Sequence, residues 1–169
     1  MTEEWMPVYA GGAMKSDPQF HPVLDRYRDL AERERRLGVL PGTPILVDPM
    51  RVIDDRLIRF FNSLTWRSQS RGTRDTYKTV YRTFFEWMAS QHRDVFSATD
   101  EDVGLWKILR TDREVNPTGA VEGATWNKEI AGLNLLFRWA SHPARGYMPV
   151  NPLAGLPNRG RTNTGRAGG

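Results

Sequence analysis

The chain has 169 residues and a formal net charge of +4, with 39% hydrophobic and 26% charged residues. This length suits one well-buried domain with an extension or tail. The absence of cysteine excludes a disulfide framework and a thiolate zinc site. No apolar run approaches the roughly 20 residues that a membrane-spanning helix needs, and the acidic N-terminus does not resemble a signal peptide. We therefore expect a cytoplasmic protein without a membrane partner.

The positive charge lies in the later part of the chain. Residues 1–50 hold six Lys/Arg against eight Asp/Glu, a net charge of −2, whereas residues 51–169 hold eighteen against twelve, a net charge of +6. Basic proteins often bind nucleic acid or anionic membranes. The charge distribution therefore favours an anionic partner, although it does not identify one.

Residues 1–47 are predicted to form an N-terminal extension with one amphipathic helix. Residues 1–20 contain four Gly/Pro breaks and no periodicity, so we expect them to be mostly irregular. Residues 21–38 carry a narrow apolar stripe and end at Gly38, a pattern that predicts a helix with a solvated outer surface. A short β-like run from Ile45 to Val47 lies in the breaker-rich connector that follows.

The core domain is predicted to begin at Asp48 and to extend to residue 153. Asp48-Pro49 combines an N-cap residue with a proline at the first helical position, which favours a helix start. Apolar residues then recur at helical steps, at Ile53, Leu57, Phe60 and Leu64. The sequence LTWRSQSRG, residues 64–72, is expected to break this helix.

A second helix is predicted from Ser70, its N-cap, to about Ser90. One set of side chains at steps of three and four forms an apolar stripe, which we expect to be buried: Tyr77, Val80, Tyr81, Phe84 and Met88. A second set, Arg74, Lys78 and Arg82, recurs at steps of four on another side. Such a cationic row is by default a solvated face, and the alternative is a surface for an anionic partner.

Two more helices complete the predicted core. Thr99 with Asp102 resembles a capping box at the start of a short helix, and residues 111–123 have the composition of a loop. A longer helix is predicted over residues 124–141, with apolar side chains at Trp126, Ile130, Leu133, Phe137 and Ala140. Residues 154–169 are predicted to be a flexible basic tail. The expected class is all-α, a compact four-helix domain with an extra N-terminal helix.

Signatures of enzyme chemistry are weak. His21, His92 and His142 share no metal-ligand spacing, and no phosphate-binding glycine loop or nucleophile elbow occurs. The acidic cluster at residues 100–102 lies in the first turn of a predicted helix, where carboxylates suit the helix dipole. We therefore expect no catalytic residue, metal, cofactor or small-molecule substrate.

Several motifs in order resemble the core-binding, SAM-like domain of tyrosine recombinases, the phage integrase family. The motif Ser70-x-x-Thr73-x-x-x-Tyr77, followed by Phe84-Phe85-x-Trp87, resembles the second helix of that domain. Thr99-x-x-Asp102-Val103 is similar to the start of its third helix. The sequence Thr125-Trp126-Asn127-Lys128, with Phe137-x-Trp139-Ala140, is similar to its fourth helix, and Asn151-Pro152 to the end of the domain.

The resemblance covers about residues 48 to 153. Two further stretches, GTPILVDP at residues 42–49 and Gly123-Ala124-x-Trp126, look most like integrases of actinobacterial mobile elements. The resemblance implies a helical clamp whose second and fourth helices approach the major groove of double-stranded DNA. It also implies contacts with other recombinase protomers on that DNA.

The resemblance implies DNA-contacting residues at the beginning of two helices. On the predicted second helix and its cap these are Ser70, Arg71, Thr73, Arg74 and Lys78. On the predicted fourth helix they are Thr125, Asn127 and Lys128. Helix N-termini and cations both favour phosphate, and Asn127 or Arg74 can also read a base edge.

The family's chemistry requires a second domain with two arginines, a lysine, a His-x-x-Arg element and a nucleophilic tyrosine. After Asn151-Pro152 only seventeen residues follow, without His or Tyr, so we expect this chain to bind DNA but not to cleave it. A standalone DNA-binding regulator of recombination is one alternative. The others are an all-helical protein-interaction module and an intact enzyme in a misread reading frame.

Overall fold

The computed structural model describes the strand Met6–Tyr9 and residues 30–47 and 54–155. The described chain is mostly helical, which agrees with the predicted all-α class, and it includes a two-stranded antiparallel ribbon. Its elements in chain order are β1 (Met6–Tyr9), α1 (Leu30–Leu37), β2 (Pro44–Val47), α2 (Asp55–Phe61), α3 (Leu64–Arg67), α4 (Arg71–Ser90), a 3₁₀ turn (Val95–Ser97), α5 (Asp100–Thr111) and α6 (Gly123–Ser141).

The ribbon corrects one expectation and confirms another. Residues 1–20 were expected to be mostly irregular, yet Met6–Tyr9 forms β1 and pairs with β2, with Met6 opposite Val47 and Tyr9 opposite Pro44. A four-residue strand has no periodic signal of its own, because its backbone is stabilised by a partner far away in sequence. The predicted β-like run is confirmed, and it begins one residue earlier, at Pro44.

Helix α1 confirms the predicted N-terminal helix over its described part, and residues 21–29 of that prediction lie outside the described residues. Gly38 ends the helix in the left-handed region, at φ +63°. The Val39 N–H donates to the Glu34 carbonyl at 2.9 Å and the Gly38 N–H to the Arg35 carbonyl at 3.3 Å. This Schellman pattern is the usual reason for glycine at a helix end.

The segment after α1 is attached to the core through Asn62. Its Oδ1 accepts from the Leu40 N–H at 3.0 Å and from the Arg67 guanidinium at 3.1 Å, and its Nδ2 donates to the Gly38 carbonyl at 3.1 Å. Ile45 of β2 is fully buried. Residues 38–45 therefore pack against the junction of α2 and α3.

The described first core helix, α2, ends earlier than predicted. Its N-cap is Asp54, whose side chain accepts from the Arg56 N–H at 2.8 Å; the predicted start at Asp48-Pro49 lies outside the described residues. The helix ends at Phe61, and the following residues do not simply break it. Ser63 caps the separate short helix α3, which buries Trp66 and leaves Leu64 81% exposed. The expectation that Leu64 continues the apolar stripe is therefore wrong.

The later caps and helix spans agree with the sequence predictions. The Ser70 side chain accepts from the Thr73 N–H at 3.2 Å at the start of α4, which ends at Ser90. Thr99 and Asp102 form the predicted capping box of α5. Helix α6 begins at Gly123, one residue before the predicted start, and ends at Ser141. Local hydrogen bonding determines these ends, so the sequence signals were sufficient.

A buried aromatic cluster joins α2, α3, α4 and α6. The ring of Tyr81 lies 5.8 Å from that of Phe60 and 5.8 Å from that of Trp66. The Tyr81 hydroxyl donates to the Gly132 carbonyl at 2.7 Å. Tyr81 therefore combines ring packing with a hydrogen bond from α4 to the backbone of α6, and it is a core residue, as predicted.

Replacing Tyr81 by Phe is expected to change the response of stability to alkaline pH. Burial, followed by the charge of Tyr77, raises the pKa of Tyr81 well above its ordinary value of 10.0. The folded protein thus keeps the proton, whereas the unfolded chain ionises near pH 10. This contribution to stability is complete below pH 10 and declines as the pH rises further.

Urea unfolding of both proteins at pH 8 and pH 11 measures the effect. At pH 8 we expect Tyr81→Phe to lose about 1 kcal/mol, the net value of one hydrogen bond. At pH 11 the difference should shrink, because Phe cannot ionise in the unfolded chain. An equal loss at both pH values would contradict the prediction.

Candidate nucleic-acid interface

The first turn of α4 presents free backbone N–H groups and two cations. Ser70 and Arg71 are exposed, and Thr73 and Arg74 are half-buried. The Ser70 hydroxyl, besides capping the helix, donates to Thr73 Oγ1 at 2.9 Å. A 20-residue helix places a partial positive charge at this end, which favours an anion.

Arg74 has an unsatisfied donor. Its Nε is buried and has no hydrogen-bond partner in the described part of the chain. Buried polar groups in proteins are nearly always hydrogen-bonded, so such a donor is unusual. Arg74 as a residue is half-buried at the beginning of α4.

The cationic row along α4 is less uniform than its spacing indicates. Lys78 Nζ lies 3.8 Å from Asp75 Oδ1, and Arg82 Nε lies 3.2 Å from Glu86 Oε1. Exposed ion pairs of this kind are weak, but each carboxylate offsets the charge of its neighbour. The positive charge of α4 is therefore concentrated at Arg71 and Arg74.

The first turns of α6 are also open to solvent. Thr125, Asn127 and Lys128 are all exposed. The N-cap residue is Glu122, whose side chain makes no capping hydrogen bond, so no cap side chain satisfies the first N–H groups of α6. Glu122 is itself an exposed negative charge, and Arg113 NH2 lies 3.3 Å from its carboxylate. The Glu122 carboxylate opposes anion binding at the N-terminus of α6, and the positive charge of Arg113 offsets this effect in part.

Helices α4 and α6 run in the same sense, so their N-termini lie at one end of the bundle. Tyr77 of α4 packs against Gly132 of α6 so closely that a Cβ on the glycine would lie 2.9 Å from Tyr77 Cδ1. Two turns later in α4, the ring of Phe84 lies 5.8 Å from that of Phe137. The contacts advance in the same direction along both helices. The predicted residues on the two helices therefore belong to one end of the fold.

The exposed residues of α6 include no acid. They are Gly123, Ala124, Thr125, Asn127, Lys128, Ala131 and Arg138. The one acidic residue in the helix, Glu129, is 6% exposed and forms a bidentate pair with Arg110 of α5. Sequence reasoning missed this pair and Arg138. A carboxylate in the apolar register of α6, between Trp126 and Leu133, was the available signal, because buried charges need partners.

The acidic cluster at the start of α5 has a structural role. Asp102 accepts from the Thr99 N–H at 2.8 Å, and its other oxygen pairs with Arg93. Within residues 30–47 and 54–155 no three His, Cys, Asp or Glu side chains are grouped so as to hold a metal ion. His21 lies outside the described residues, and His92 and His142 are exposed.

The described helices include none that is both long and apolar enough to cross a bilayer. No family model, curated protein or solved structure matches this chain. The features that define the candidate site are therefore those of the molecule itself, a mostly helical protein with Arg71, Arg74 and Lys128 in the N-terminal turns of two helices.

Proposed function

We propose that this chain is the DNA-binding core domain of a site-specific tyrosine recombinase and takes part in DNA integration and recombination. The observation that carries the proposal is the parallel course of α4 and α6, which brings Arg71, Arg74 and Lys128 to one end of the bundle. Two helix N-termini with these cations match the repeated negative charge of a nucleic-acid backbone. The motif resemblance identifies double-stranded DNA as that nucleic acid.

The site residues divide into two roles. Ser70, Arg71, Thr73, Lys78, Thr125 and Lys128 are assigned to phosphate contacts, which position the protein and carry no sequence information. Asn127 and Arg74 are assigned to base edges, because amide and guanidinium groups can form paired hydrogen bonds with adenine and guanine in the major groove. Asn127 is exposed on α6, and Arg74 is half-buried at the beginning of α4.

The finer fold assignment belongs to the same proposal. Helices α2, α4, α5 and α6 correspond in order to the four helices of a SAM-like core-binding domain, and α3 is a short addition between the first two. The capping motifs of α4 and α5, at Ser70 and Thr99, support this correspondence. Strand cleavage is not assigned to any residue of this chain. Binding to neighbouring recombinase protomers, or regulation of recombination by DNA occupancy, is compatible with the same surface.

Fluorescence anisotropy of a labelled duplex, titrated at several salt concentrations, tests the proposal. We expect the wild-type protein to bind with an affinity that falls steeply as salt rises, because phosphate contacts release counterions. Lys128→Ala and Arg74→Ala are each expected to weaken binding about three- to tenfold. Lys128→Ala, which removes a phosphate contact, should also lower the slope of log affinity against log salt by about one.

Arg59→Ala is the matched control. Arg59 is an exposed arginine on α2, and its neighbour Phe60 packs against Trp139 near the C-terminal end of α6, with ring centroids 5.3 Å apart. Removal of this distant cation should change the affinity less than twofold at 0.15 M salt, where screening acts over about 8 Å. Absence of binding by the wild-type protein at low salt, or equal losses in all three variants, would refute the proposed interface.

A protein-interaction module is the second candidate function, because α5 exposes two large apolar side chains one turn apart. Leu105 is 49% exposed and Ile108 is 48% exposed, although the opposite face of the helix is buried at Val103 and Trp106. If this face binds protein, Leu105→Asp will abolish self-association or partner capture measured by sedimentation and leave DNA affinity unchanged.

A further inference from the structure

Glu129 occupies a sensitive place in the proposed DNA interface. It directly follows Lys128 and lies one turn after Thr125, both of which are exposed and assigned to DNA. A free carboxylate at this position would place a negative charge beside the phosphate-binding residues. Instead the side chain of Glu129 points away from solvent and is 6% exposed.

Both carboxylate oxygens of Glu129 bind Arg110. Arg110 Nε donates to Oε2 at 3.1 Å and NH2 donates to Oε1 at 2.5 Å. This parallel two-bond geometry is the strongest form of an arginine–carboxylate interaction. The pair joins the C-terminal part of α5 to the second turn of α6.

Arg110 is itself held in place by its surroundings. Its guanidinium carbon lies 5.6 Å from the centroid of the buried Trp106 ring, and its carbonyl accepts from the Val121 N–H at 2.7 Å. The hydrogen bond to Glu129 raises the pKa of Arg110 more than burial lowers it, so the guanidinium remains charged. The residue is therefore a fixed positive charge directed at Glu129, not a mobile surface cation.

We propose that Arg110 is a positioning residue for the DNA interface, because it holds Glu129 inward and cancels its charge so that the exposed face of α6 carries only positive charge. This inference rests on the proposed function. Helix α5 contributes none of the DNA-contacting residues proposed above. Through Arg110 it would nevertheless control the charge on the exposed face of α6. Without Arg110, the carboxylate would be uncompensated beside Lys128 and would repel the DNA backbone.

Three variants measured by the same salt-dependent anisotropy test the inference. Arg110→Gln is expected to weaken binding about tenfold, the effect of one uncompensated charge within roughly 10 Å at intermediate dielectric. The double variant Arg110→Gln/Glu129→Gln removes both charges and should restore the affinity to within about twofold of wild type. Circular dichroism of each protein, at a temperature where it is folded, establishes that a change in DNA affinity does not come from a loss of folded protein.

Arg93→Gln is the matched control. Arg93 also pairs with a buried carboxylate, that of Asp102 at the start of α5, so this variant loses the same charge and an ion pair that is made through one guanidinium nitrogen. We expect its DNA affinity to remain within about twofold of wild type. A purely structural role for Arg110 predicts instead that the folded Arg110→Gln protein binds DNA as the control does, which would overturn the inference.

Two further outcomes are informative. If Arg110→Gln does not fold, Glu129→Gln is compared with Asp102→Asn, which makes the same charge change in the control pair. The inference requires a clearly larger gain in affinity for Glu129→Gln, since this change frees the charge of Arg110 at the interface, and equal gains overturn it. If the wild-type protein itself does not bind DNA, the proposed function and this inference both fail; if it binds and only the variants disagree, the inference fails alone.

Discussion

Replacing Asp102 by Ala is expected to lower the free energy of unfolding by about 3 kcal/mol, a loss made up of a capping box and a partly buried ion pair. Asp102 is buried, accepts from the Thr99 N–H at 2.8 Å and pairs with Arg93. The substitution leaves the guanidinium of Arg93 without its carboxylate and the Thr99 N–H without an acceptor. We expect this loss of unfolding free energy to lie at the lower end of the range for buried ion pairs, because the side chain of Arg93 is about one third exposed.

Asp100→Ala is the control for this substitution. Asp100 lies in the same acidic cluster and the same helical turn, but it is exposed, and within the part of the chain that the structure describes its side chain accepts only from the neighbouring Glu101 N–H at 2.9 Å. Its replacement should cost less than about 0.5 kcal/mol, as surface substitutions usually do. Urea unfolding of the two variants measures the difference, and similar losses would contradict the structural role of Asp102.

Gly132→Ala is expected to destabilise the protein by about 1–3 kcal/mol, the usual cost of overpacking a tight contact. A Cβ at this position would lie 2.9 Å from Tyr77 Cδ1 and 3.1 Å from Tyr77 Cγ. The ring cannot withdraw freely, because it packs beside Tyr81, whose hydroxyl donates to the Gly132 carbonyl. Either α4 must move away from α6 or this hydrogen bond must lengthen.

Gly104→Ala should have the opposite sign. Gly104 also lies within a helix, α5, but a Cβ added there would have no neighbour within 4 Å. The substitution should therefore stabilise the protein by about 0.5–1 kcal/mol, the helix-propensity difference between the two residues. Thermal and urea unfolding of both variants test the pair. Stabilisation by Gly132→Ala would show that the contact between α4 and α6 is looser than its geometry indicates.

Gly132 and Gly104 also show a limit of prediction from sequence. Both occur inside predicted helices, and nothing in the flanking residues distinguishes them. Their expected effects differ because a second helix lies against Gly132 and none lies against Gly104. The same limit applies to Leu64, which continues the apolar spacing of its helix and yet is exposed, because Ser63 begins a new helix that turns Trp66 into the core.

The candidate site was predicted in part. The sequence placed Ser70, Arg74, Thr125 and Lys128 at two helix beginnings, because caps and breakers are local signals. The predicted cationic row left out the carboxylates of Asp75 and Glu86, although their i,i+3 and i,i+4 spacing could be read in the sequence. The neutralisation of Glu129 by Arg110 could not be read there, because this pair depends on how α5 packs against α6.

By itself the sequence determined the helical class, the caps at Ser70 and Thr99, and the apolar faces of α4, α5 and α6, since each depends on residues within about one or two helical turns. Only the tertiary structure decided which side chains on those helices are free to meet a ligand. It paired β1 with β2, aligned α4 and α6 in the same sense, and withdrew Glu129 from the exposed face of α6. Each of these outcomes joins residues that are distant in the chain, where packing and charge compensation outweigh local preference.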